Sequence, residues 1–178
     1  MKKALKIGGI SLVTLIIVLV GVSYLLPRYV TVERSVVIDA KPAEVFPYVN
    51  SFEKFNEWSP WAGIDPDTKY TFEGPDRGQG AKMTWTSDHP DVGSGSQEII
   101  DSRKNQYVRT ELDFGEQGTG EAWYRLENVE AGTEVTWGLK ADMGNNPIGR
   151  WIGLAMDGMI GPDYERGLAD LKELVESE

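Results

Sequence analysis

Residues 107–114 read Tyr-Val-Arg-Thr-Glu-Leu-Asp-Phe, and this strict alternation decides what kind of fold the chain adopts. Val108, Thr110, Leu112 and Phe114 fall on one side, and Tyr107, Arg109, Glu111 and Asp113 on the other. A period of two is that of a β-strand. One apolar face and one charged face mean that one is buried and the other wet, the pattern of an antiparallel sheet.

Working outward, the neighbours repeat the signal. Ser96 to Arg103 precedes this strand across a Lys104-Asn105-Gln106 turn, and Gly120 to Glu127 and Thr133 to Asp142 follow it, joined at Glu130-Ala131-Gly132. Upstream, Lys69 to Glu73 and Ala81 to Ser87 flank Gly74-Pro75-Asp76, with Met83 and Trp85 on one face of the second strand. Val30 to Asp39 is β-branched and reads as the first strand. Two short helices lie between. One starts at Pro42 and is kinked by Pro47. The other runs from Phe52 to Trp58 behind a Ser51 cap. Ile148 to Val175 is a long C-terminal helix with an apolar stripe and a kink expected at Gly161-Pro162. The order is strand, two short helices, about six strands, one long helix. A curved antiparallel sheet wrapped around the last helix satisfies it, and space between helix and sheet suits an apolar ligand.

The start of the chain is different. Ile7 to Leu26 is twenty residues without a charge, behind Lys2, Lys3 and Lys6. As a helix it spans roughly 30 Å, the hydrocarbon thickness of a bilayer. It is apolar all round, unlike a core helix. A cleaved signal peptide is the alternative, with Gly21 and Ser23 as small cleavage-site residues, but the apolar run is long for that role. The expected organisation is therefore an anchor over 1–28 and one domain over 29–178. The short basic N-terminus places itself in the cytoplasm and the domain outside it, although Arg28, Arg34 and Lys41 follow the span and weaken the bias. If the peptide is cleaved, the domain is secreted.

Composition narrows the function. Four of the 18 basic residues (Lys2, Lys3, Lys6 and Arg28) precede the domain, leaving 14 against 28 acidic ones, a net −14. Nucleic-acid phosphate repels such a surface. There is no cysteine and one histidine, His89, so no zinc site or histidine-based triad is expected. Gly78-Gln79-Gly80 lies between strands, where a turn explains it better than a phosphate loop. No cofactor and no catalytic residue is assigned. Glu111 and Asp113 fall on the wet face, away from any acid–base chemistry.

Several segments together resemble a known group: Ile38-Asp39-Ala40-Lys41-Pro42-Ala43-Glu44-Val45-Phe46, Trp58-Ser59-Pro60-Trp61, and Phe72-Glu73-Gly74-Pro75 with Gly78, Gly80, Ala81 and Trp85. Gly132-Thr133-Glu134-Val135-Thr136-Trp137 and Gly167-Leu168-Ala169-Asp170-Leu171-Lys172 complete the series. In this order they resemble the START-related superfamily, and within it the polyketide cyclase/dehydrase-type branch, often called SRPBCC proteins, from about Thr31 to Glu176. The resemblance implies the α+β helix-grip fold, with a hydrophobic cavity between the sheet and the C-terminal helix. It also implies apolar ligands such as lipids, sterols or polyketides, with catalysis in a minority of members.

The candidate ligand-binding residues are Trp58, Trp61, Met83, Trp85, Thr110, Leu112, Tyr124, Trp137, Met156 and Ile160. The two tryptophans beside Ser59-Pro60 either line a cavity mouth or plug the core. Thr110 and the Tyr124 hydroxyl are the polar groups expected to orient a ligand. The expected partners are a hydrophobic small molecule or lipid, and the membrane through Ile7–Leu26. A cyclase- or hydrolase-type enzyme would need an ionisable group inside the cavity, for which Arg34 is the nearest candidate. A domain whose cavity is filled by side chains is the third reading.

Overall fold

A computed structural model describes residues 2–115 and 118–177, with the side chains of residues 2–8 and 10 left undescribed. Helix α1 (Lys2–Ser23) is followed, across a turn over residues 24–28, by strand β1 (Tyr29–Ile38). Two short helices, α2 (Pro42–Val49) and α3 (Phe52–Phe55), come next. Six strands follow: β2 (Lys69–Glu73), β3 (Lys82–Thr86), β4 (Ser94–Arg103), β5 (Tyr107–Asp113), β6 (Thr119–Val129) and β7 (Gly132–Asp142). Helix α4 (Pro147–Glu176) ends the described chain.

The seven strands form one sheet in the order β1-β7-β6-β5-β4-β3-β2, and every neighbouring pair is antiparallel. Consecutive hairpins build β2 to β7, and β1 joins as the far edge by pairing with the last strand. Alternation sets the register. Val108 and Thr110 of β5, Ala122, Tyr124 and Leu126 of β6, and Val135, Trp137 and Leu139 of β7 all point to the buried face. The expected inward phase holds at Val108, Thr110, Tyr124 and Trp137. A bulge between Ile99 and Asp101 interrupts the β4–β5 register.

Helices cover the inner face. Val45, Phe46, Val49, Phe52 and Phe55 from α2 and α3 join Leu168, Leu171 and Val175 from α4 in one core with the strands. Helix α2 begins where the Glu44 carboxylate accepts the Lys41 backbone N–H at 2.7 Å, and it tolerates Pro47. Helix α3 is shorter than expected and ends at Phe55; Trp58 follows it in a turn, and the Ser51 side chain makes no cap bond. Helix α4 runs alongside β1, with the Lys172 ammonium donating to the Val37 carbonyl at 2.6 Å. It continues through Gly161-Pro162 as one helix, because proline removes a single backbone donor there without ending the hydrogen-bonded ladder.

Helix α1 also differs from the expected span. It stops at Ser23, three residues short of Leu26. The backbone N–H groups of Tyr24, Leu25 and Leu26 reach back three residues, to Gly21, Val22 and Ser23, in a tight closing turn. Among the described residues no helix is long and apolar enough to cross a membrane. The side chains where the expected span begins, at Ile7, Gly8 and Ile10, lie outside the described residues.

Candidate functional site

The ten candidate residues separate into two groups on the inner face. The first is an aromatic plug beneath the second half of α4. Trp137 of β7 stacks on Tyr164 of α4 with ring centroids 3.8 Å apart and planes 11° from parallel. Trp58 meets Trp137 edge to face at 5.2 Å, and Tyr124 lies 5.5 Å from the same ring. Trp61 packs edge-on against both Trp137 and Tyr164. Phe55 closes the cluster against Trp58 and Trp137. Each such pair adds about 1 kcal/mol to the area it buries. Trp58 is fixed further by donating its indole N–H to the Tyr48 carbonyl at 3.0 Å. These rings fill the space between helix and sheet at this end. Met83 is buried beside α3, its sulfur accepting a contact from the Asn56 amide at 3.5 Å.

The second group lies toward the other end of the sheet. Trp85, Leu112, Met156 and Ile160 all pack against the core yet stay partly exposed. Phe114 meets Trp85 edge to face at 5.9 Å and is itself 37% exposed. Small residues open the floor here: Gly120 and Ala122 on β6 pair with Leu112 and Thr110 on β5. Thr110 is 2% exposed, and its hydroxyl has no hydrogen-bond partner among the described residues. Buried Gln97 stands on β4 opposite Leu112. This half of the inner face is apolar, incompletely covered and supplied with polar groups at its floor.

Sequence reasoning passed over two residues here. Tyr164 continues the Met156, Ile160 series at helical spacing, and that spacing alone was enough to place it inward. Gln97 is in phase with Ile99 on β4, but its polarity disguised an inward position.

Among the described residues, no carboxylate or basic side chain converges on either group. Arg34, the one charge in the inward series of β1, is ion-paired with Asp157 at 2.9 Å and Glu165 at 2.7 Å on α4. Donating hydrogen bonds to Asp157 and Glu165 raises its pKa further, so it stays charged. Both carboxylates are open to solvent. Tyr124 and Tyr164 are neutral phenols, because burial pushes both pKa values up. Arg109 and Glu121 pair on the outer face, where a depression of about 210 Å³ is lined by Glu111, Glu121, Lys140 and Asp142. No group of three or more His, Cys, Asp or Glu residues suited to a metal ion exists among the described residues.

The family described as "Polyketide cyclase / dehydrase and lipid transport" matches residues 29–176. No curated protein matches the chain. Solved structures share the fold at low identity. A protein of unknown function from Staphylococcus aureus is 11% identical with a TM-score of 0.65, covering 84% of this chain and 94% of its own. A protein from Rhizobium leguminosarum is 19% identical with a TM-score of 0.61, covering 84% and 96%. The Aha1 dimer from Colwellia psychrerythraea is 15% identical with a TM-score of 0.59, covering 83% and 96%.

Proposed function

The chain belongs to the polyketide cyclase / dehydrase and lipid transport family, and from that premise we propose that it is a membrane-anchored helix-grip domain that binds an apolar small molecule or lipid without transforming it. One observation carries the reading: the buried Thr110 hydroxyl, unpartnered among the described residues, at the floor of a half-covered apolar face. Leaving a hydroxyl unpaired in an apolar setting costs about 1–3 kcal/mol, and a ligand carbonyl or hydroxyl there would recover part of it. Trp85, Leu112, Phe114, Met156 and Ile160 supply the apolar wall, worth about 25 cal/mol per Å² removed from water. The aromatic plug bounds the site on the other side. The absence of a converging acid–base pair among the described residues favours binding over cyclase or hydrolase chemistry.

Anchoring is the second part of the proposal. Leu12, Val13 and the six consecutive residues from Leu15 to Val20 of α1 are 40–66% exposed, and six consecutive positions cover every side of a helix. An all-round apolar helix is stable in lipid, not in water. The basic N-terminus would stay in the cytoplasm, with the domain on the far side. Native mass spectrometry of the detergent-extracted full chain tests the reading. A retained small molecule that shows up as a discrete mass adduct supports it; a bare chain that also takes up no fluorescent fatty acid rejects it.

A further inference from the structure

The first half of helix α4 is apolar on its outer face as well as toward the core. Successive helical residues turn by about 100°, so Ile148, Trp151, Ile152, Ala155 and Met159 share one face. That face points away from the sheet: Ile148 is 69% exposed, Ile152 48% and Met159 63%. It carries no charge. The two charges on this half are committed elsewhere, Asp157 to Arg34 of β1 and Arg150 to the end of α1. Beyond Pro162 the ordinary arrangement returns, with Asp163, Glu165, Arg166, Asp170 and Glu173 outward and Tyr164, Leu168 and Leu171 inward.

The apolar half is joined to α1. Arg150 is 8% exposed, and its guanidinium donates to the carbonyls of Ser23, Tyr24 and Leu26, and to Gly144. A cation at these carbonyls also complements the negative end of the α1 dipole. Trp151 donates its indole N–H to the Leu19 carbonyl at 3.3 Å. Leu19 is one turn, about 6 Å, back along α1 from its end. Tyr24 and Leu25 stand exposed at the same joint.

We propose that the first half of α4 is a second membrane contact: its Ile148–Met159 face lies in the bilayer interface beside α1, in contact with acyl chains. The inference rests on the anchoring read for α1. Once α1 sits in lipid with Ser23 at its boundary, the Trp151 bond holds that ring about 6 Å below the boundary, at the depth of interfacial aromatic belts. The other residues of the stripe share the same surface. The occupant is the acyl region and not anionic headgroups, because the stripe has no Lys or Arg to pair with phosphate and the domain carries net −14 (14 basic, 28 acidic).

The chain contains no cysteine, so single nitroxide labels report cleanly. The full chain is placed in dioleoylphosphatidylcholine nanodiscs with one label at a time at Ile152→Cys, Met159→Cys, Val18→Cys or Asp170→Cys. Accessibility is read with molecular oxygen, which concentrates in lipid, and a water-soluble nickel chelate. The expected result is at least fivefold more relaxation by oxygen than by nickel at 18, 152 and 159, with the reverse at 170. Nickel access at 152 and 159, with 18 still in lipid, overturns this proposal and leaves the anchor intact. Nickel access at 18 as well overturns both. Labels at 152 and 159 hidden from both reagents mean that protein covers the face, and this also overturns the proposal.

Discussion

The hydroxyl of Thr110 and the indole N–H of Trp137 are both buried without a hydrogen-bond partner among the described residues, but their surroundings differ. Trp137 is enclosed by Tyr164, Trp58 and Tyr124, and its ring burial outweighs one unmade bond. Thr110 sits between Ile99 and Ala122, where little aromatic surface compensates. Thr110→Val therefore leaves the ligand-free domain as stable as before or about 1 kcal/mol more stable, read from the urea midpoint. The same change weakens uptake of a fluorescent fatty acid by roughly fivefold, the value of about one hydrogen bond. A clear loss of stability would mean that the hydroxyl is satisfied by the protein. At Gly132 the demand is on the backbone: φ is +124°, and a Cβ would run into the Ile38 carbonyl. Gly132→Ala should lower stability by about 1–3 kcal/mol through strain at the β6–β7 turn, seen as a lower thermal midpoint.

Helix α4 and strand β1 are held together by close approach as much as by charge. A Cβ on Gly161 would collide with the Arg34 guanidinium, which Asp157 and Glu165 fix in place. Gly161→Ala is expected to cost about 1–3 kcal/mol as overpacking. Combined with Arg34→Ala the two losses should not add, because the second change removes the obstacle. Strict additivity in urea unfolding would show that the two residues do not meet. Strand phases were legible in the sequence where a strand has one wet and one dry face, as in Val108, Thr110 and Leu112 against Arg109 and Glu111. Met83 and Trp85 were placed on the inner face for the same reason. The half-open end of that face was not legible, since Leu112 in a wall and Leu126 in a core look alike as letters. Nor could pattern tell that Trp58 plugs while Trp85 stays partly exposed. Arg150 was invisible for another reason: its partners are backbone carbonyls more than a hundred residues away, which no side-chain pattern encodes.

Across the whole molecule, the Arg150 joint ties helix α1 to the domain through the carbonyls of Ser23, Tyr24 and Leu26. Arg150→Met removes the donors to Ser23, Tyr24 and Leu26. The spin–spin distance distribution between labels at Val18→Cys and Asp170→Cys should broaden, while the thermal midpoint of the domain changes little; an unchanged distribution would place the joint elsewhere. Acid acts on the same region. The Arg28 guanidinium, hydrogen-bonded to Asp142, holds that carboxyl down at about 2. Because the folded value lies below the ordinary 3.8, the contribution is complete above about pH 4 and is lost as pH falls toward 2. Asp157 and Glu176, also held low by Arg34 and by the Asp39 N–H, act in the same direction. Tyr124 and Tyr164, pushed up by burial, destabilise the fold only as pH rises beyond the ordinary phenol value of about 10. Unfolding followed by tryptophan fluorescence should show a plateau from pH 5 to 9, and a fall within it would point to a different titrating group. The central claim is that an apolar ligand lies on the half-covered inner face, between the aromatic plug and the open end. It is tested most directly by cross-linking a diazirine-bearing fatty acid to the full chain and mapping the modified residues by mass spectrometry. The account predicts adducts on Leu112, Phe114, Met156 and Ile160, reduced by competing unlabelled fatty acid and by Thr110→Val. Adducts confined to the outer face, or to the exposed apolar residues of α1 alone, would contradict it.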